Sequence, residues 1–211
     1  MELQGPDSIF RSASDLAAPV EPVMTVEQWI DLRRHPSGHV EGAHAIRALI
    51  RRSTVTELQI TFRIDGDIAR IRVPSPTAPR VATQLWQHTC FEAFVAVEGR
   101  AAYHEFNFSP SGEWAAHAFT SYRDGGPLAN EMMRPDIAVR STNNRIELDG
   151  LIRLDSLSPI HPRASLRVGL SAVIETSDGL SYWALRHPTS KPDFHDAAGF
   201  ALLLEPPGPG C

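Results

Sequence analysis

The stretch LWQHTCFEAFVAV at residues 85–97, followed by AYHEFNFSPSGEWAAHAF at 102–119, carries the strongest β-strand pattern of the chain. In the first segment the side chains alternate between two different sets, and this period of two is typical of a β-strand with two unlike faces. The second segment holds two more strand-like runs, which are separated by the turn residues SPSG. We therefore predict three consecutive antiparallel strands in the middle of the chain.

The short connections between these strands set which residues lie opposite each other. A hairpin closed through EGRA and a four-residue turn at Ser109–Gly112 each fix one register. The first predicts the pairs Glu92–Asn107, Phe94–Glu105 and Phe91–Phe108, and the second predicts Asn107–Trp114 and Phe108–Glu113.

This register predicts a sheet with one polar, aromatic face and one apolar face. The first face carries Trp86, His88, Glu92, Tyr103, Glu105, Asn107 and Trp114. The second carries Phe91, Val95, Phe106 and Phe108, which we predict to be core. Cys90 lies on the first face, and we expect it to be a small buried residue because no base accompanies it.

The polar face has the chemistry of a sugar site. An indole packs against the apolar C–H face of a sugar ring, and carboxylates, carboxamides and imidazoles bind its hydroxyls. The alternative is structural: Trp86 and Trp114 belong to the core, and Glu92 is bound to an arginine.

Further short strand-like runs follow along the chain, each bounded by Gly, Pro, Asn or Asp. They lie at 136–140, 145–154, 166–175, 180–186 and 199–205. Because no long helical period separates them, the fold class is predicted to be all-β, an antiparallel β-sandwich or jelly roll at residues 46–205.

The two ends of the chain differ from the middle in their sequence pattern. Residues 1–45 are predicted to be an N-terminal extension with one helix in TVEQWIDLRR, capped by Thr25. A hairpin is predicted at the turn Asp65-Gly66-Asp67. Residues 206–211, which are rich in Pro and Gly, are predicted to be a disordered tail.

Composition excludes several functional classes. The formal net charge is −5, and no block of Lys and Arg with interleaved aromatics occurs, so nucleic acid is not an expected partner. No apolar run approaches the length of a membrane span or a signal peptide, so we expect no membrane partner and a cytoplasmic location. With two cysteines and no CxxC, the sequence offers no disulfide framework and no cysteine metal site.

Several motifs together resemble the DOMON-like superfamily, most closely its bacterial branch. These motifs are LWQHTCFEAF, EFNFSPSGEWAA, GLSAVIE, LSYWALRHP and KPDFH, and the resemblance covers about residues 54–205. The superfamily consists of β-sandwiches and includes family 9 carbohydrate-binding modules and haem-binding domains.

The resemblance implies two kinds of ligand. In the carbohydrate-binding modules two tryptophans enclose a sugar, and one of them precedes a glutamate by six residues; Trp86 and Glu92 have this spacing, and Trp183 is the implied second tryptophan. The haem-binding members use a methionine with His or Lys as axial ligands. Met132 and Met133 are the methionines that the resemblance implies as candidate axial ligands of haem b.

The segment RHPTSKPDFHDAAGF, beginning at Arg186, concentrates polar chemistry in a proline-rich loop. His187, Lys191 and His195 are candidates for the rim of a ligand site. The alternative is a structural loop held by Asp and His hydrogen bonds. A metal site does not fit, because the two histidines lie eight residues apart across two prolines.

The sequence thus predicts non-catalytic binding of a small polar ligand, a carbohydrate by preference, with no cofactor and no catalytic residues. The alternatives are a haem-binding electron-transfer domain and a protein-interaction module without a small ligand. Hydrolysis by Glu92 and Glu105 would need one carboxyl with a raised pKa inside a closed site, which no sequence pattern reveals.

Overall fold

The structure, a computed structural model, describes residues 28–38, 42–128 and 133–208, and these residues form an antiparallel β fold. The strands are β1 Ile30–Arg34, β2 Ala43–Arg51, β3 Glu57–Gly66, β4 Cys90–Val97, β5 Tyr103–Phe108, β6 Trp114–Ser121, β7 Asp124–Pro127, β8 Asp136–Thr142, β9 Arg145–Arg153, β10 Leu166–Thr176, β11 Gly179–Ala184 and β12 Leu202–Leu204. One short α-helix, α1, spans Leu154–Leu157, and 3-10 turns occupy Ile68–Arg70, Leu85–Gln87, His161–Arg163 and Ala197–Gly199.

The strands are hydrogen-bonded in the order β7-β6-β5-β4-β10-β11-β1-β2-β3-β9-β8, with β12 also paired to β10. We call β4–β7 and β10–β12 the site layer, and β2, β3, β8 and β9 the back layer. Strand β1 joins the two, because Ile30–Leu32 pair with β2 whereas Arg33 and Arg34 pair with β11. The predicted all-β sandwich is confirmed.

The core lies between the two layers. The ring of Phe62 from β3 stacks on the ring of Phe91 from β4 at a centroid distance of 4.9 Å. Phe91, Val95, Phe106 and Phe108 are each at most 1% exposed, as predicted. Because side chains alternate along a strand, the neighbours of these residues in β4 and β5 point to the other face of the site layer.

The predicted helix in TVEQWIDLRR is wrong in its described part, since Ile30–Arg34 is a strand. Both edges of this strand have a partner strand, and these pairings outweigh a weak local helix preference. The sheet therefore begins inside the segment predicted to be an extension, and residues 1–27, which include the predicted cap Thr25, lie outside the described residues. Part of the predicted tail, residues 209–211, also lies outside them.

The predicted hairpin at Asp65-Gly66-Asp67 is also wrong. Strand β3 already has β2 on one edge and β9 on the other, so the segment after the turn has no free edge to pair with. That segment instead forms the 3-10 turn Ile68–Arg70 and makes a single bridge from Ile71 to Thr176.

The predicted register is confirmed between β4 and β5 and is wrong by one residue between β5 and β6. Glu92 lies opposite Asn107, as expected. However, Phe108 lies opposite Trp114 rather than Glu113, because the connection has five residues instead of four. A shift of one residue moves every side chain of β6 to the opposite face. Trp114 is therefore fully buried in the core, with 0% exposure.

Candidate functional site

A cavity of about 530 Å³, which we call the site cavity, opens on the face of the site layer that points away from the core. Its titratable lining residues are Glu92, Glu105, His117, Arg123 and His195, and its aromatic ones are Trp86, Phe119, Tyr182 and Phe194. A volume of this size suits a small organic ligand.

Two carboxyl groups form the most buried polar part of the cavity wall. Glu92 in β4 is 3% exposed and Glu105 in β5 is 6% exposed. The hydroxyl of Ser171 donates to Glu92 Oε2 at 3.1 Å, and Asn107 Nδ2 donates to Glu105 Oε1 at 2.6 Å. Because Asn107 lies directly opposite Glu92, the two glutamates are diagonal neighbours on adjacent strands.

The two carboxyl groups cannot both carry a charge at low cost. Burial, together with the charge of Glu105, raises the pKa of Glu92 to about 8. Glu92 therefore keeps its proton at neutral pH, and the pair carries one negative charge. In this form Glu92 can donate one hydrogen bond to a ligand, whereas Glu105 can only accept.

Two histidines flank Glu105. His195 Nε2 lies 3.7 Å and His117 Nδ1 lies 3.9 Å from Glu105 Oε2. Burial lowers the pKa of His195, so its ring is neutral at neutral pH. The Tyr103 oxygen accepts the backbone N–H of Arg123 at 3.2 Å and lies 2.8 Å from His195 Nδ1. If the Tyr103 hydroxyl donates to Nδ1, the remaining proton of His195 is on Nε2, on the side of Glu105.

The loop that carries His195 is fixed by Asp193. The hydroxyl of Tyr122 donates to Asp193 Oδ2 at 2.6 Å, Arg123 Nη2 lies 2.9 Å from Oδ1, and the His195 backbone N–H donates to Oδ1 at 3.1 Å. Burial alone would raise the pKa of Asp193, but these hydrogen bonds lower it. The contacts hold Phe194 and His195 against the cavity, and they also hold Arg123 at its left-handed φ of +54°.

The structure brings six of the sequence-predicted residues together. Trp86, Glu92, Glu105 and His195 line the site cavity, while Tyr103 and Asn107 bind two of these lining groups from behind. Cys90, on the same face, is fully buried as predicted. Whether these residues bind a ligand remains a prediction.

Five predicted residues lie elsewhere. Trp114 and Trp183 belong to the core between the layers, because the alternation of β6 and β11 turns them away from Glu92. His88 precedes the start of β4 and pairs through Nδ1 with Glu175 Oε2 at 2.8 Å, outside the cavity lining. His187 Nε2 bonds to the carbonyl of Arg33 at 2.7 Å, and Lys191 is exposed in the loop; neither lines the cavity.

Several lining residues do not stand out in the sequence pattern. His117 lies opposite Glu105, and Phe119 shares its face, so the correct β5–β6 register reveals both. Tyr182, the neighbour of Trp183, is the aromatic side chain of β11 that lines the cavity. No local signal points to Arg123, because its place depends on a contact with Asp193 across 70 residues.

The described residues give no support to a metal site or a membrane span. Among them, no group of three or more His, Cys, Asp or Glu side chains is arranged to hold a metal ion. No helix in this part of the chain is long and apolar enough to cross a bilayer. For haem, Met133 is buried in the core at 6% exposure and Met132 lies outside the described ranges, so haem binding remains an untested prediction.

Comparison with known proteins finds likeness in solved structures only. A candidate carbohydrate-binding protein from Bacteroides uniformis matches with a TM-score of 0.59 and 14% sequence identity, over 84% of this chain and 86% of that chain. A family 9 carbohydrate-binding module from Caldicellulosiruptor kristjanssonii, in complex with cellotriose, gives a TM-score of 0.49 and 12% identity over 82% of each chain. A family 9 carbohydrate-binding module from that organism, in complex with glucose, gives a TM-score of 0.46 and 12% sequence identity, over 82% of this chain and 83% of that chain.

No protein-family profile matches the chain, and no curated protein matches it. At such low identity the Bacteroides structure shows a shared fold alone, since one fold can carry many functions.

Proposed function

We propose that this protein binds a small carbohydrate in the site cavity without changing it chemically. The observation that carries the proposal is one cavity that combines an exposed indole with two buried carboxyl groups. A sugar needs both, because its ring has an apolar face and a rim of hydroxyls. The fold likeness to the candidate carbohydrate-binding protein from Bacteroides uniformis supports this assignment.

Each wall of the cavity has a role in this proposal. Trp86, which is 53% exposed, offers its ring for stacking against the sugar. Glu105 accepts hydrogen bonds from hydroxyls, and protonated Glu92 donates one. Tyr182 and Phe194, whose ring centroids lie 6.3 Å apart, form an aromatic wall.

Membership of the DOMON-like superfamily and a cytoplasmic location are part of the same proposal. The motifs around Trp86 and the β-sandwich support membership of the superfamily. The cytoplasmic location rests on the sequence alone.

Replacing Trp86 by alanine is expected to weaken sugar binding about tenfold, since an aromatic stacking contact contributes on the order of 1 kcal/mol or more. Isothermal titration against a panel of monosaccharides and disaccharides measures the effect. The matched control is Trp29→Ala, because Trp29 is also partly exposed but lies over Arg63 of the back layer. If no sugar binds the wild-type protein, or if both variants bind as the wild type does, the proposal is wrong.

A further inference from the structure

We infer that the site cavity selects an amino sugar, whose protonated amine lies between the carboxyl groups of Glu92 and Glu105. The inference rests on the proposed function, because it names the class of carbohydrate. Three features of the cavity lead to it: carboxyl oxygens that no described residue binds, the pairing of the nearby arginine with Asp193, and the aromatic rings that line the same cavity.

The first feature is the hydrogen bonding of the two glutamates. Ser171 binds only Oε2 of Glu92, and Asn107 binds only Oε1 of Glu105. No described residue donates a hydrogen bond to the other oxygen of either carboxyl group. Neither of these oxygens is among the fully buried atoms that lack a partner, so both are open to a ligand in the cavity, and an ammonium group supplies three N–H donors and the opposite charge.

The second feature is the ion pair made by Arg123, the cationic side chain in the cavity wall. The guanidinium of Arg123 is bound to Asp193 at 2.9 Å and so is already paired with a carboxylate. It lowers the pKa of Glu92 less than burial and Glu105 raise it. The charge of Glu105 therefore remains available to a cationic ligand, and neutral His195 beside it does not oppose one.

The third feature is the aromatic lining. Trp86 and Tyr182 line the same cavity as the two glutamates. An ammonium near the face of an indole or phenol ring is attracted by the negative charge of that face. A neutral hydroxyl gains nothing comparable, so the rings and the carboxylates favour the same kind of ligand.

Binding of a cation favours the ionised form of Glu92, so binding releases a proton. The groups that face the pair are Cys90 from β4, Tyr103 from β5, His117 from β6, Arg123 from the turn after β6, and Asp193 and His195 from the loop before β12. Among these, Arg123 is the permanent cation, and its guanidinium is paired with Asp193 at 2.9 Å.

Isothermal titration with matched sugars tests the inference. Glucosamine, galactosamine and mannosamine are compared with the neutral hexoses and the N-acetylated sugars, at a pH where the free amines are protonated. We expect at least one amino sugar to bind about tenfold more tightly than its neutral counterparts, and to release up to about one proton when buffers of different ionisation enthalpy are compared. Glucose and its neutral relatives are expected to release none.

Isosteric variants connect the preference to the carboxyl groups. Glu105→Gln is expected to abolish most of the tenfold preference, and Glu92→Gln to abolish the proton release. Glu98→Gln, at an exposed residue paired with Arg167, is the control and is expected to change neither. Neutral sugars that bind as well as amino sugars, or a preference that survives in both Glu variants, would overturn the inference while leaving the proposed function intact. If neither neutral nor amino sugars bind, the proposed function itself fails.

Discussion

Replacing Trp114 by alanine is expected to lower the free energy of unfolding by about 3–5 kcal/mol, because the change leaves a large cavity in a packed core. The indole is fully buried between the layers. Its Nε1 has no hydrogen-bond partner among the described residues, so Trp114→Phe is expected to cost much less. Urea unfolding of the three proteins measures the difference.

The same experiment tests the register of β6. If Trp114 lay on the ligand face, as the four-residue turn predicts, its loss would weaken ligand binding and change stability little. Trp86→Ala is the control, because Trp86 is more than half exposed and is expected to cost no more than about 1 kcal/mol. Equal, small losses of stability for Trp114→Ala and Trp86→Ala would contradict the structure.

Replacing Glu92 by glutamine is expected to remove a pH dependence of stability. The raised pKa means that the folded protein holds this proton more tightly than the unfolded chain does, between the ordinary value of 4.5 and about 8. This contribution to stability is complete below 4.5 and is lost as the pH rises to about 8. The glutamine variant should gain about 1.4 kcal/mol relative to the wild type for each pH unit in this window.

Urea unfolding of both proteins at several values between about pH 5 and pH 8 gives the difference directly. His161, whose pKa burial and nearby charges lower to about 4, titrates in both proteins and cancels in the comparison. Glu98→Gln is the control, and its difference from the wild type is expected to stay flat. A flat difference for Glu92→Gln as well would mean that Glu92 is ionised at neutral pH.

The alternation of side chains in short runs was sufficient to predict the sandwich. The four-residue connection EGRA was sufficient to predict the register of the β4–β5 pair. The sequence was not sufficient for the β5–β6 pair. The residue that lengthens this loop, Glu113, binds Arg80 at 2.7 Å, and its carbonyl accepts the Ser109 N–H at 2.9 Å. Arg80 lies 33 residues earlier, so SPSG alone does not reveal this partner.

The face of an aromatic residue was equally hard to predict where two aromatic residues are adjacent in the sequence. In SYWA, Tyr182 and Trp183 point to opposite faces, and only the pairing with β10 shows which one meets the cavity. Likewise, the polar residues of the loop at Asp193 identify a rim, but the partner turn at Tyr122 and Arg123 is distant in sequence. The carboxyl pair was predictable because Glu92 and Glu105 lie within a single hairpin.

The most direct test of carbohydrate binding in the site cavity is a crystal structure with the tightest-binding sugar of the panel. We expect one sugar in the cavity, with its ring against Trp86 and a polar group within hydrogen-bond distance of Glu92 or Glu105. A sugar bound on the back layer or at another surface, with both glutamates untouched, would show that the site cavity is not the binding site.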